Sequence, residues 1–518
     1  VIRITKKSIL KKTAEVGSAT LFSRIIGLIR TMLMSRYLGV GIESDAFWVA
    51  YKIPNFLRKI FAEGALSAAF VPSMVNLVEK DKNKDSSSRL MSLAFIFFES
   101  LLALICIIMI SQARQVLLFI APGFKEQIEI AVPFLQIFSI FILFISSSAL
   151  LKGALDAVNH FFVPSFAPVV MNIIIVIALL LAIALKWPTI YICYAFLVAA
   201  FINFVMHLII YYKKGFGFYK PNKLALINLY AVIKRFLPIL FGMSIIEINL
   251  LIDARFASGL AQGSYTLIEY ASRFMQIPLG VFATAFATIL FPHFGRVSAY
   301  APKRLMFYLF EATKIIIWVM LPMSLIMAFF AKDIFANLMF KSSDLIHVSK
   351  ATHVLWAFLV GLIFFSLNKI ILNIYYAIKA NWLSVWVLII STMLNIILNQ
   401  IFMKFIGAPG LALATSISAT FQTFLLCYIL KRFFKFSFPF SRYANFILKI
   451  ILNNIIIIPV FLILYYSSCK LIIHLNLKHL LLETIYVWLW LIPLNCLIAF
   501  LYIILRKPIG LKLYFLDE

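Results

Sequence analysis

Residues 16–38 read VGSATLFSRIIGLIRTMLMSRYL. The run is long enough to cross a hydrocarbon core of about 30 Å, yet it carries Arg24, Arg30 and Arg36. In lipid a single segment satisfies its own backbone polar groups only as a helix, so the run is predicted to be a membrane helix. A charge near the middle of such a helix costs at least about 2.5–3.5 kcal/mol on insertion scales and belongs against a protein interior or a wet cavity. Arg36 lies near the helix end, where it can snorkel to the interface. Lys6, Lys7, Lys11 and Lys12 precede the run as they would in a signal peptide. Its length, its arginines and the missing small-residue cleavage site instead predict a first span kept in the mature protein.

The rest of the chain agrees with this stretch. Its 518 residues are 64% hydrophobic and 13% charged, about half the charged share of an ordinary soluble domain. Apolar runs recur near 16–38, 46–78, 90–112, 131–152, 160–185, 188–212, 228–258, 265–295, 310–331, 350–375, 382–404, 409–431, 445–467 and 482–505. These predict an all-α membrane protein of about 14 transmembrane helices, with short connections such as Gly39-Val40-Gly41, Lys213-Lys214-Gly215 and Gly407-Ala408-Pro409-Gly410. The net charge of +27 does not point to nucleic acid, because the cations sit between apolar runs and not on a soluble basic face. The densest basic segments are Lys80/Lys82/Lys84/Arg89, Lys213 through Arg235, Arg296/Lys303/Arg304 and Lys431/Arg432/Lys435/Arg442. On an even helix count all four fall on the side of the N-terminus, which predicts that both termini are cytoplasmic. Cys106, Cys193, Cys427, Cys469 and Cys496 lie in or beside apolar runs without paired spacing, as small buried hydrophobes do.

A faint repeat at an offset of 220 residues pairs Gly39 with Gly259 and Pro72 with Pro292 and superposes runs 46–78 and 265–295. Two parallel six-helix lobes follow, in pseudo-two-fold arrangement, over 1–225 and 226–440, with two C-terminal helices in 441–518 left outside the repeat. Transporters commonly place substrate between such repeats.

The informative charges inside the runs are Arg24, Arg30, Arg36, Lys52, Arg58, Lys59, Glu63, Asp253, Arg255 and Arg273. Lys59 and Glu63, four apart, can neutralise each other. Arg24, Arg30, Arg58 and Arg273 remain once these are set aside. Residues 24 and 30 lie about 120° apart on an ideal helix, which suits a broad cavity and a helix bent near Gly27. Pro54 removes the usual partner of the Ala50 carbonyl, which suits a broken helix beside a cavity. Asn55 and Arg58 share a face. Guanidinium groups grip phosphate bidentately, so the set predicts an anion site. Catalytic patterns are missing: there is no G-x-x-x-x-G-K-[ST], no H-E-x-x-H, and only 20 acids in all. The expectation is movement of a phosphate-bearing substrate, not its conversion, with no cofactor of a catalytic kind.

The stretch Ser23-Arg24 … Gly27 … Arg30, then Asp45-Ala46-Phe47 … Lys52-Ile53-Pro54-Asn55 … Leu57-Arg58-Lys59-Ile60-Phe61-Ala62-Glu63-Gly64-Ala65 … Ala69-Phe70-Val71-Pro72, resembles the MurJ/MviN family of lipid II flippases, within the multidrug/oligosaccharidyl-lipid/polysaccharide exporter superfamily. The resemblance implies two lobes around a cationic cavity and a groove for the lipid tail formed by helices 13 and 14. It also implies alternating access that carries undecaprenyl-diphosphate-linked peptidoglycan precursor across the bacterial cytoplasmic (inner) membrane. It assigns Arg24, Arg30, Arg58 and Arg273, with Ser23 and Asn55, to the substrate, and Asp45, Glu63, Gly27 and Pro54 to gate or cavity positions. A monomer near the cell-wall synthesis machinery is implied as well. Some members bind sodium between helices 7, 11 and 12; the matching positions are Asp253, Asn395, Asn399, the Leu411 carbonyl and Thr415, with Asn399 where sodium-binding relatives carry aspartate. Thr31 likewise stands where an acid often follows the second arginine, and Ser272 and Gln276 where relatives often flank the helix-8 arginine with acids. Two alternatives differ in cargo: another polyprenyl-diphosphate oligosaccharide, or a cationic drug, which would call for buried acids. A non-transporting scaffold would gain nothing from buried arginines.

Overall fold

The computed structural model describes residues 6–61, 65–81, 83–124, 127–300, 302–340, 344–436, 440–475 and 487–514. Among these no strand occurs, and the secondary structure is helical throughout. Among the described residues, eleven helices are long and apolar enough to cross a membrane. The other three expected spans, 16–38, 46–78 and 228–258, each carry several charged residues. Side chains such as Leu104, Ile107, Ile177 and Leu180 are exposed on helix faces. An outer surface this apolar is built for lipid, and the chain is a multi-pass membrane protein.

The chain forms two compact units, Val1–Thr266 and Leu267–Glu518. The first holds α1 (Lys6–Leu38), α2 (Ile42–Phe61), α3 (Ala65–Lys80), α4 (Asp85–Ser111), α5 (Ala113–Ile120), α6 (Ile128–Ala157), α7 (Phe162–Leu185), α8 (Ile190–Lys213) and α9 (Lys223–Ala257). Helix α9 packs on α2, α3 and α4, so it counts with the first unit although the second expected lobe, 226–440, begins within it. The second unit takes in most of α10 (Ser264–Pro278), which continues through a π-helical turn, Leu279–Thr284, into α11 (Ala285–Tyr300). It then holds α12 (Pro302–Phe329), the short turn α13 (Ala331–Asp333), α14 (Leu345–Ala377), α15 (Asn381–Ile406), α16 (Ala408–Phe434), α17 (Phe440–His474) and α18 (Val487–Leu505).

Helix ends follow local chemistry. Gly39 has φ +64° and its N–H reaches the Ser35 carbonyl at 2.9 Å, closing α1 in the left-handed conformation that glycine adopts freely. One sequence expectation changes here. Helix α2 runs unbroken through Pro54. A proline deletes one hydrogen bond, and the packing of α2 on α6 and α9 holds the helix across the gap.

Within each unit the helices meet through rings and small polar groups. In the first, Tyr51 of α2, Phe138 and Phe141 of α6 and Phe196 of α8 form an aromatic cluster, with centroids 5.1 Å apart for Tyr51–Phe138 and 5.7 Å for Phe138–Phe196. In the second, Ser416 Oγ donates to the Ala357 carbonyl at 2.7 Å and Asn368 Nδ2 to the Ala419 carbonyl at 3.0 Å. These bonds tie α14 to α16, and a Cβ on Gly361 would come within 2.6 Å of Ser416 Oγ, so the helices touch backbone to side chain.

Candidate functional site

The first unit carries an open cavity of about 340 Å³ between α1, α2, α6, α7 and α8. Three cations line it: Arg30 from α1, Arg58 from α2 and Lys152 from α6. Among its described lining residues there is no Asp or Glu. The remaining polar lining includes Asn172 and His207, with Tyr51 from the aromatic cluster.

Each arginine is held in place. Arg30 Nη1 donates to Asn172 Oδ1 at 2.8 Å, and its guanidinium carbon stands 5.9 Å from the Phe196 ring centroid. Asn172 in turn donates through Nδ2 to the carbonyl and hydroxyl oxygens of Ser23, both at 3.3 Å. A Cβ on Gly27 would lie 3.7 Å from that same Nδ2, so the glycine marks where α1 and α7 approach. Arg58 donates to Asn55 Oδ1 from Nε at 3.1 Å and from Nη2 at 2.9 Å. Its remaining N–H groups are fixed in direction by that bidentate hold.

The other expected residues are distributed as follows. Arg24 is exposed and does not line the cavity. Arg273 is half-buried in the second unit. Arg36 is exposed near the end of α1, as an interface anchor should be. Glu63 lies outside the described residues. Lys59 does not depend on it: its ammonium pairs with Glu247 of α9 at 2.9 Å. The local i,i+4 reading therefore gives way to a tertiary ion pair between α2 and α9. Pro54 is buried in α2.

Asp45 does not face the cavity. Its side chain is buried, with the residue 1% exposed, and it binds the last residues of the first unit. Oδ2 accepts from the Gly263 N–H at 2.6 Å, and Oδ1 accepts from the Thr266 N–H at 2.8 Å and the Thr266 hydroxyl at 2.5 Å. A carboxylate from the start of α2 thus caps the start of α10. Gly263, at φ +82°, would place a Cβ 2.4 Å from Val40, so only glycine fits there.

Of the sodium positions, α15 and α16 bring four together. Asn399 Nδ2 donates to Asn395 Oδ1 at 2.9 Å, Asn395 Nδ2 reaches Thr415 Oγ1 at 3.4 Å, and Thr415 donates to the Leu411 carbonyl at 2.9 Å. The donor set is oxygen-rich and uncharged, and its amides would turn oxygen toward a hard cation. Asp253 belongs to α9 in the first unit. Among the described residues, no group of three or more His, Cys, Asp or Glu could hold a metal ion.

Sequence reading alone missed Lys152, Asn172 and His207. Lys152 ends a predicted run and reads as an interface cation. Asn172 is a single amide in an apolar helix, and its role depends on α7 meeting α1. Glu247, the partner of Lys59, was an in-span acid whose signal was present and passed over.

The family profile described as "Lipid II flippase MurJ" matches residues 34–481. The chain belongs to the MurJ lipid II flippase family. A "Probable lipid II flippase MurJ" of Vibrio cholerae serotype O1 is 31% identical over 443 residues, 81% of this chain and 82% of that protein. A solved MurJ flippase in an inward closed conformation aligns with TM-score 0.77 at 27% identity, covering 95% of this chain and 99% of that one. A multidrug resistance MATE transporter of the MOP superfamily, at TM-score 0.64 and 16% identity over 80% of this chain and 96% of that one, shares the fold. MurJ membership makes this a transport protein and not an enzyme, as the missing catalytic patterns led one to expect.

Proposed function

We propose that the chain moves lipid II, the undecaprenyl-diphosphate-linked peptidoglycan precursor, from the cytoplasmic to the periplasmic leaflet of the bacterial inner membrane by alternating access. The observation that carries this reading is the acid-free cavity lined by Arg30, Arg58 and Lys152. At about 340 Å³ it matches a small-ligand site, so it receives the charged diphosphate and leaves the sugars, peptide and prenyl tail outside. Ser23 and Asn55 orient the two arginines; Arg24 and Arg273, which do not line this cavity, are assigned further anion contacts by the family resemblance alone. A cationic drug would find no carboxylate among the lining residues described. Fourteen crossings, cytoplasmic termini, lobes over 1–225 and 226–440, and a tail-binding pair in 441–518 complete the proposal. The protein acts as a monomer beside the cell-wall synthesis machinery.

A proteoliposome assay tests cargo and tail together. Lipid II is expected to move at least tenfold faster than a polyprenyl diphosphate bearing an unrelated oligosaccharide, and faster than lipid II with a shortened prenyl chain. Equal rates for both sugars would reassign the cargo to polyprenyl diphosphates in general, and indifference to chain length would remove the tail track.

Sodium is the cation that the Asn395, Asn399, Leu411 and Thr415 oxygens suit, with Asp253 as the resemblance's fifth ligand. Exchanging sodium for choline at constant ionic strength should lower the melting temperature of the purified protein and slow flipping. Identical melts and rates would leave the amides as a structural hydrogen-bond chain only.

A further inference from the structure

The C-terminal segment following α18 is bound by charge, although nothing in its own sequence announces a partner. Glu311 and Lys314 stand three apart on α12 and form an ion pair at 2.7 Å, in residues only 5% and 9% exposed. A buried pair of this kind is retained only when its remaining hydrogen-bonding capacity is met. Here the chain terminus meets it. Lys314 Nζ donates to the Lys512 carbonyl at 3.1 Å, and the Tyr514 N–H donates to Glu311 Oε2 at 3.3 Å. The ammonium also stands 5.1 Å from the Phe310 ring centroid and 5.4 Å from that of Phe446 on α17.

The pair therefore reads backbone two residues apart along the tail, while the alternate side chains Leu511 and Leu513 are buried at 2% and 0% exposure. Gly510, at φ +72°, turns the chain into this position, and its carbonyl accepts from Lys449 of α17 at 3.0 Å. Tyr443 of α17 shares a 2.6 Å hydrogen bond with Thr313 of α12, and Tyr502 of α18 stacks on Trp318 at 5.3 Å. All these groups belong to the second unit. The tail lies past residue 481, where the family match ends, so membership assigns it no role.

We infer that residues 506–514 are a latch: the Glu311–Lys314 pair grips their backbone and thereby fastens α17 and α18 to α12. The inference is independent of the cargo, because it concerns how the last two helices are held. Opening the latch frees those helices while the rest of the unit stays folded.

Hydrogen–deuterium exchange on the full-length protein in detergent tests it. Tyr514→Pro removes one N–H, together with the ring that packs 5.0 Å from Phe307, and leaves the ion pair whole; the double variant Glu311→Gln/Lys314→Met removes both charges at similar volume. Both are expected to speed exchange in Val487–Leu505 at least tenfold, with α14 and α6 unchanged. Lys512→Ala, which keeps the carbonyl that is used, should leave exchange as it was. Unchanged exchange in α18 in the double variant would overturn the latch. So would a rise spread equally over α14 and α6, which would make the pair a general folding element. A Lys512→Ala effect as large as that of Tyr514→Pro would overturn the backbone reading.

Discussion

Arg58→Ala is expected to abolish rescue of a flippase-depleted cell and to lower flipping in proteoliposomes by about a hundredfold. Truncating one member of a desolvated charge contact typically costs about 2–5 kcal/mol, and each 1.4 kcal/mol is about tenfold. Arg58 is one of the three cations lining the cavity, and Asn55 takes two of its N–H donors. Its guanidinium charge is what a phosphate in the cavity would meet. Arg58→Lys keeps the charge and loses the fork, so an intermediate fall of about tenfold should follow. Arg30→Ala should approach the Arg58→Ala effect, since it also strands the Asn172 oxygen that Arg30 satisfies. Protein levels in the membrane must match wild type for the comparison to count. Full rescue by both alanine variants would sink the anion-site reading.

The second large effect is on stability. Asp45→Ala removes the acceptor for the Gly263 N–H, the Thr266 N–H and the Thr266 hydroxyl at one stroke. Leaving a buried donor unsatisfied costs about 1–3 kcal/mol each, so a loss of about 3 kcal/mol or more is expected. It should show as a lower melting temperature of the purified protein in detergent without substrate. Asp45→Asn keeps one carbonyl oxygen and turns an N–H₂ toward the other donor, so its loss should fall between the two. An unchanged melt for Asp45→Ala would mean that the cap contributes nothing to the folded state.

How far these residues could be read from sequence differs with the physics. Lipid imposes length and apolarity on every crossing segment, so the apolar runs emerged directly and eleven reappear as long apolar helices. The Asn55–Arg58 bond was legible because three residues along a helix is a local distance. Asn172 holding Arg30 was not, since the contact joins residues 142 apart in the chain. The same holds for Lys59, whose nearest acid in sequence drew attention away from Glu247, 188 residues distant. Asp45 was singled out, but its place beneath Gly263 and Thr266 depended on where α10 begins. Local periodicity reports faces; it does not report which faces meet.

The bidentate hold of Asn55 on Arg58 has a consequence for selectivity. A free arginine side chain must give up about 2 kcal/mol of rotamer entropy to grip a ligand. Arg58, with its guanidinium already immobilised, gives up much less, and so does Arg30 through Asn172. On the proposed function, the site is preorganised for an anion that matches two fixed planes, not for negative charge at large. Chloride, spherical and without directional acceptors, would collect little from such planes, whereas a diphosphate presents oxygens at several fixed angles. Discrimination at this cavity would then come from rigidity, and loosening either amide would blur it even where the net charge is unchanged.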